Sequence, residues 1–325
     1  MALFNVRYDF RRPDFARSSS ADLAAAALDQ CEYADRNGFT SITLSEHHGS
    51  PDGYMPSPLV VAGAVAARTR QARIMIAALI APLHDPVRLA EDMAMVDVLS
   101  NGRLIAVLAA GYVASEFATF GRELKDRGRL LDEAVEVAKQ AWTGEPFEYR
   151  GRTVRVTPRP VQQPRPPIFL GGSTRAAARR AARIADYLVP STPDVFDMYR
   201  EELVRLGKPD CGPMMPSAGM FVHVAEDPDA DWKRIAPHAL HETNAYGRWL
   251  AEGGLAGPYA QFTNADDLRA SGQYQILRPE ELVERLKALG PMASVTLHPL
   301  VGGLDPEVGW KSLRLVAEKV IPALA

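Results

Sequence analysis

The feature that most constrains this chain is a repeated order of short β-branched segments and Ala-rich helical segments. Strand-like runs at Leu3–Tyr8, Thr40–Leu44, Arg73–Ala78 and Arg103–Leu108 alternate with helical runs at Ala21–Arg36, Pro56–Thr69 and Pro86–Leu99. The joints carry start and stop signals: Ser19 or Ser20 before the first helix, then Asn37-Gly38 and Asn101-Gly102 after helices. Strand–helix repeats of this kind imply parallel strands joined by right-handed crossovers. The rhythm breaks after Gly111. A long helical run, Arg127–Trp142, leads to Phe147–Tyr149 and Thr153–Val156, which flank Gly151 and predict a hairpin insertion over 143–157. The Pro-rich run Pro158–Pro167 reads as a stiff connector. The rhythm then resumes with strands at Ile168–Leu170, Tyr187–Val189, Ala218–Val224 and Ala293–Leu297. Helices are expected at Ser173–Ile184, Val195–Leu206, within Leu277–Leu289 and at Pro306–Ile321.

Eight strands outside the hairpin are the number that closes a parallel sheet around a filled interior. The expected fold is α/β, one (β/α)8 TIM barrel over residues 1–325 with insertions. Residues 236–275 fit no strand–helix unit and are expected to form an insertion or lid before the last strand. The length suits this reading: 325 residues, 47% of them hydrophobic, can fill a large core. A formal net charge of -3 and a pI near 6.2 give no basic field, so no nucleic-acid partner is expected. Cys31 and Cys211 alone cannot build a disulfide framework or a multi-cysteine metal site, which points to a reducing cytoplasm. No leader and no apolar run long enough to span a membrane is read in the sequence.

In such barrels the active site lies at the C-terminal ends of the strands. Residues just after strands are therefore the candidates. Glu46, His47 and His48 follow the second strand, and at most one of the adjacent histidines is expected to face the pocket. A histidine there can serve as general acid or base near neutral pH; the structural alternative is a loop histidine held by hydrogen bonds. Ala110, Gly111 and Tyr112 follow the fourth strand. Gly171, Gly172, Ser173 and Thr174 end the fifth strand and open a helix. That end can bind an anion through free N–H groups and the helix dipole, or simply be a capped turn. His84 and Asp85 precede Pro86, where Asp85 reads as a helix cap. His223 and His298 follow later strands and can line the mouth, as can Tyr54, though packing roles are equally open. No G-x-G-x-x-G, Walker A or G-x-S-x-G motif occurs. His241-Glu242 lacks the second histidine of a zincin, and no metal site is expected. A metal-dependent barrel hydrolase using His47, His48, His84, His223 and His298 is a minor alternative, weakened by the lack of clustered carboxylates and of an H-x-H.

Several stretches, in order, resemble the bacterial luciferase-like monooxygenases, a flavin-dependent superfamily of (β/α)8 enzymes. They are Ser45-Glu46-His47-His48, Ile76–Pro82 with Asp85–Asp92, Asp97–Arg103, Gly111-Tyr112 with Phe117 and Phe120-Gly121, and Pro167–Ser173. The resemblance runs over about residues 1–190 and fades after 200. It implies His47 as the catalytic histidine at the flavin's reactive edge. It implies Ala77-Ala78 as the place where the family often has a non-proline cis peptide beneath the isoalloxazine ring. Gly172, Ser173 and Thr174 match the phosphate end. Ala110 stands where luciferase proper has a phosphate-holding arginine, which implies a looser grip on phosphate. The activity implied is oxidation of a small organic substrate by reduced FMN and O₂, with FMN supplied as a co-substrate by a separate NAD(P)H:flavin reductase. The alternatives on the same fold are hydride transfer with the deazaflavin F420 and a non-catalytic flavin-binding sibling. The resemblance also implies a homodimer built on the second and third helices.

Overall fold

The computed structural model describes residues 2–255 and 257–324. Eleven strands, numbered in chain order, are β1 (Leu3–Tyr8), β2 (Ser41–Leu44), β3 (Arg73–Ile80), β4 (Leu104–Ala109), β5 (Phe147–Tyr149), β6 (Arg152–Val154), β7 (Ile168–Gly172), β8 (Tyr187–Pro190), β9 (Phe221–Val224), β10 (Tyr274–Leu277) and β11 (Ser294–Leu297). Nine of them form one parallel sheet in the order β10-β9-β11-β1-β2-β3-β4-β7-β8. β5 and β6 pair antiparallel with each other, as the Gly151 turn predicts. The central strands carry Val, Ile and Leu on both faces, and their helices cover the outside, so each strand is buried twice over.

Local chemistry sets the joints. Ser19 caps the first helix, Ser20–Arg36, in a capping box with Asp22. Asp85 accepts from the N–H groups of Val87 and Arg88, and Pro86 opens the helix Pro86–Ser100. Asn101 then ends it in the left-handed conformation. The buried Asp97 carboxylate accepts from Val161 N, Gln162 N and Gln162 Nε2 at 2.7, 3.0 and 2.6 Å, which ties down the Pro-rich connector. The Asp97–Arg103 stretch is thus a structural clamp on the outside of β4.

Two expectations about the second half need correction. The sheet has nine strands, not eight. The added strand, β10, lies within the stretch read as an insertion and pairs parallel with β9 from Tyr274↔Phe221 to Leu277↔Val224. Its alternating burial is weak, because only Tyr274 is fully buried, and a four-residue strand gives little periodicity to read. The start drawn at Ala236 falls inside a 25-residue helix, Pro228–Glu252. Pro237 and Gly247 mask that helix in the sequence. Residues 236–275 therefore comprise the rest of this helix, a connecting loop, a short helix at Ala265–Ala270 and the start of β10; Ala256 within them lies outside the described residues. Among the described residues no helix is long and apolar enough to cross a membrane.

Candidate active site

The turn after β2 is fixed by backbone bonds on both sides. His47 N donates to Met55 O at 3.2 Å, and Met55 N donates to Asp9 O at 2.8 Å, just beyond β1. The turn is buried with its side chains: Glu46 and His47 are 2% and 7% exposed. The three side chains diverge. Glu46 points toward the end of β3, where one oxygen accepts from Ile80 N and the other from His48 Nε2 at 2.9 Å and His84 Nε2 at 2.8 Å. Burial disfavours its charge, but the hydrogen bonds from His48, His84 and Ile80 outweigh burial and hold the carboxyl down at about 2. Glu46 is thus a hub that ties the turn to β3.

His47 has a different partner. Its Nδ1 donates to Glu116 Oε1 at 2.8 Å, and the same oxygen accepts His48 N at 2.9 Å. Glu116 sits on the short helix Ala114–Thr119 after β4 and is 1% exposed. A carboxylate on Nδ1 fixes the neutral tautomer with its lone pair on Nε2. No described residue hydrogen-bonds Nε2. Around the ring stand aromatic faces: Trp249 stacked at 4.3 Å, and Tyr54, Tyr246 and Tyr112 edge-on at 4.9, 5.7 and 5.8 Å. Trp249 and Tyr246 come from the long Pro228–Glu252 helix, which therefore covers the histidine.

A second cluster lies behind the tyrosines. Arg7, at the end of β1, donates to Glu242 Oε1 at 2.7 Å and Tyr246 Oη at 2.6 Å, and its Nη1 lies 3.2 Å from His298 Nδ1. Asp9, Glu242 and His298 bring their ligand-type atoms within 4.8 Å of one another. The Arg7 guanidinium already supplies the cation at this cluster, so the donor set is spoken for. Burial alone would push Asp9 and Glu242 up, but His298 and Arg7 pull both below the usual carboxylate range. Burial and Arg7 disfavour a charged His298, while Glu242 and Asp9 outweigh them and raise it. Arg11 is fully buried beside Asp52 and Asp9, with its Cζ 4.5, 4.9 and 5.0 Å from the Tyr54, Tyr246 and Trp249 rings.

The third part is a wall of small residues. The peptide between Ala77 and Ala78 is cis. The β3–β4 register slips there, since Ala77 pairs with Val107 and Leu79 with Leu108, leaving Ala78 out of the ladder. A Cβ on Gly171 would lie 3.7 Å from Ala78 Cβ and 3.6 Å from Ala109 Cβ, so these residues face one another. Gly111 adopts φ +74°, and a Cβ there would lie 2.7 Å from Ile80 and 2.9 Å from Phe117; only glycine fits between Ala110 and Tyr112. Gly172 has a packing reason too, because its Cβ would meet Ala177 Cβ at 2.3 Å. Thr174 caps the helix Arg175–Ile184 by accepting from Ala177 N, and Ser173 is exposed beside it.

The structure thus brings Glu46, His47, His48, Tyr54 and Tyr112 together and joins His298 to them through Arg7. It does not bring His223, which lies within β9 rather than after it and pairs at 3.0 Å with Asp231 of the Pro228–Glu252 helix. Tyr8 is core, its hydroxyl bonded to Gln30, and Trp310 packs edge-on against Tyr33. The sequence reading missed Glu116, Arg7, Arg11 and Tyr246. Glu116 lies one residue before Phe117 in the stretch that carried the resemblance; the other three gave no local signal.

The model of the luciferase-like monooxygenase family matches residues 10–295. The chain is 31% identical over 150 residues to the oxygenase component of a flavin-dependent trigonelline monooxygenase of Acinetobacter baylyi; the match spans 44% of this chain and 41% of that protein. Another curated relative is likewise matched over only 48% of its length. An F420-dependent glucose-6-phosphate dehydrogenase of Nakamurella multipartita is 25% identical over 98% of this chain and 96% of its own. The crystal structure of monooxygenase RslO1 from Streptomyces bottropensis superposes with a TM-score of 0.77 at 23% identity, covering 99% of this chain and 100% of that one. The nine parallel strands, the His47 turn and the family match place this chain in the luciferase-like monooxygenase family.

Proposed function

We propose that this protein is a flavin-dependent monooxygenase that uses reduced FMN and O₂ to oxidise a small organic substrate. The observation that carries the reading is the His47–Glu116 pair, a buried histidine with one orienting carboxylate, an unpartnered Nε2 and aromatic walls. The residues present fit a flavin. The flat wall of Ala77, Ala78, Ala109, Ala110 and Gly171 suits a planar ring against backbone. The N–H groups at Gly172, Ser173 and Thr174 and the dipole of the ten-residue helix Arg175–Ile184 suit its phosphate. Ala110 adds no charge, and Arg175 already pairs with Glu201 at 3.6 Å, which supports a loosely held flavin. A bound reduced flavin supplies the electrons that activate O₂. His47 holds or moves a proton at Nε2, and Trp249, Tyr246 and Tyr54 keep water from it. A separate flavin reductase as the source of reduced FMN follows from loose binding.

The whole chain 1–325 is read as one domain, with 236–275 acting as a lid through Trp249. Exposed Val60, Met95, Val98 and Leu99 on the adjoining helices Pro58–Arg68 and Pro86–Ser100 support a homodimer. The test is His47→Ala. That variant is expected to bind FMN and to lose substrate oxygenation by about 10²–10⁴-fold; turnover like the wild type would overturn the assignment. Titration with F420 in parallel separates the hydride-transfer reading, which the F420-dependent relative keeps open as the rival.

A further inference from the structure

Tyr54 and Tyr246 hold one more hydroxyl proton than their neighbours accept. Their oxygens are 2.6 Å apart, so one hydroxyl donates to the other. Arg7 Nη2 donates to both, at 3.3 Å to Tyr54 and 2.6 Å to Tyr246. The second hydroxyl proton has no acceptor among the described residues. Deprotonation does not remove it, because burial raises both phenols despite the nearby arginines. The surplus continues one layer inward. Arg11 is fully buried, yet its Nη2 has no hydrogen-bond partner among the described residues. Its Nε meets Asp9 Oδ2 only as an ion pair at 3.5 Å. Buried donors left unpaired are costly, so a cluster of them marks a place that takes an acceptor.

We propose that the Tyr54–Tyr246 pair, polarised by Arg7, is the site that seats the substrate's oxygen, and that the substrate class is one presenting an sp² oxygen with full or partial negative charge. The inference rests on the monooxygenase reading above and sharpens it. An oxygen on this pair sits beside His47, whose ring lies 4.9 and 5.7 Å from the two tyrosine rings. The shared proton has a consequence that packing does not. Removing either hydroxyl frees the proton of the one that remains, which Arg7 still polarises. One donor therefore survives each single Phe substitution, and only the double substitution abolishes it.

The probe is 4-nitrophenol, whose ionisation is read by absorbance on the purified full-length chain without flavin. In the wild type the bound phenol is expected to ionise at lower pH than the free phenol. Tyr54→Phe and Tyr246→Phe each weaken phenolate binding by less than about threefold. The double variant weakens it by about tenfold or more, and its bound phenol ionises at or above the free value. Thermal melts confirm that each variant folds; should the double variant not fold, the direction of the wild-type shift decides. No binding, preference for the neutral phenol in the wild type, or single losses that multiply to the double loss would overturn the proposal. Probe binding as stated in a protein that shows no flavin-dependent turnover would leave this site standing and remove the monooxygenase reading.

Discussion

His47 and His298 both lie buried just beyond the ends of parallel strands, yet their surroundings differ in kind. His298 is set among Arg7, Asp9 and Glu242, so each charge in that cluster has an opposite within reach. His47 has a single carboxylate, on Nδ1, and aromatic faces elsewhere. A histidine enclosed by charges holds a framework together. A histidine with one orienting carboxylate and an open nitrogen can exchange a proton with something that arrives. The comparison teaches that burial and a carboxylate partner do not by themselves mark the reacting histidine; what the second nitrogen faces does.

The comparison breaks most sharply at Glu242. Glu242→Ala leaves Arg7 buried without its partner and is expected to lower stability by about 3–5 kcal/mol, measured by denaturant unfolding; a loss under about 1 kcal/mol would mean the cluster is not a framework. Glu116→Ala leaves His47 Nδ1 and His48 N without their acceptor and is expected to lower stability by about 1–3 kcal/mol, less than at Glu242, while lowering kcat about 10–100-fold, the worth of one charge-assisted hydrogen bond. KM should change little, and Glu116→Gln, which keeps an acceptor for Nδ1, should recover part of the loss. Equal effects on kcat from both residues would erase the distinction.

The acid side sharpens it further. Glu46 ionises at about 2 in the folded chain, below its ordinary value. Its contribution is therefore complete above about pH 4.3 and is lost as pH falls through the folded value. His84→Ala removes one of the hydrogen bonds that hold the carboxyl down, so the acid unfolding midpoint should move to higher pH. His298 runs the other way. Its raised value means that its contribution is complete below about pH 6.5 and is lost as pH rises beyond the folded value. The smallest effect is expected at Thr174→Ala, about 1 kcal/mol for a lost helix cap, read by thermal melting.

The first half of the fold was legible because each element carried its own signal. Asp85-Pro86, Asn101-Gly102 and Ser19 sit where the physics of helix ends puts them. β10 was not legible, since four residues with one fully buried side chain give no period, and Pro237 hid a helix that tolerates it. At the site, the Glu46-His47-His48 turn could be read from its place after a strand, and the cis Ala77-Ala78 bond followed the resemblance. Glu116 and Tyr246 could not be read that way. They reach His47 across 69 and 199 positions of chain, and only the folded sheet brings them together. His223 shows the converse: it was read as following a strand, yet it lies within β9 and pairs with Asp231.

The most direct measurement is an anaerobic titration of the purified protein with reduced FMN, followed by admission of labelled O₂ and a panel of candidate organic substrates. The expected result is saturable binding of reduced FMN and incorporation of one labelled oxygen atom into a product, lost in His47→Ala while flavin binding persists. Absence of reduced-FMN binding together with saturable hydride exchange with F420 would contradict it.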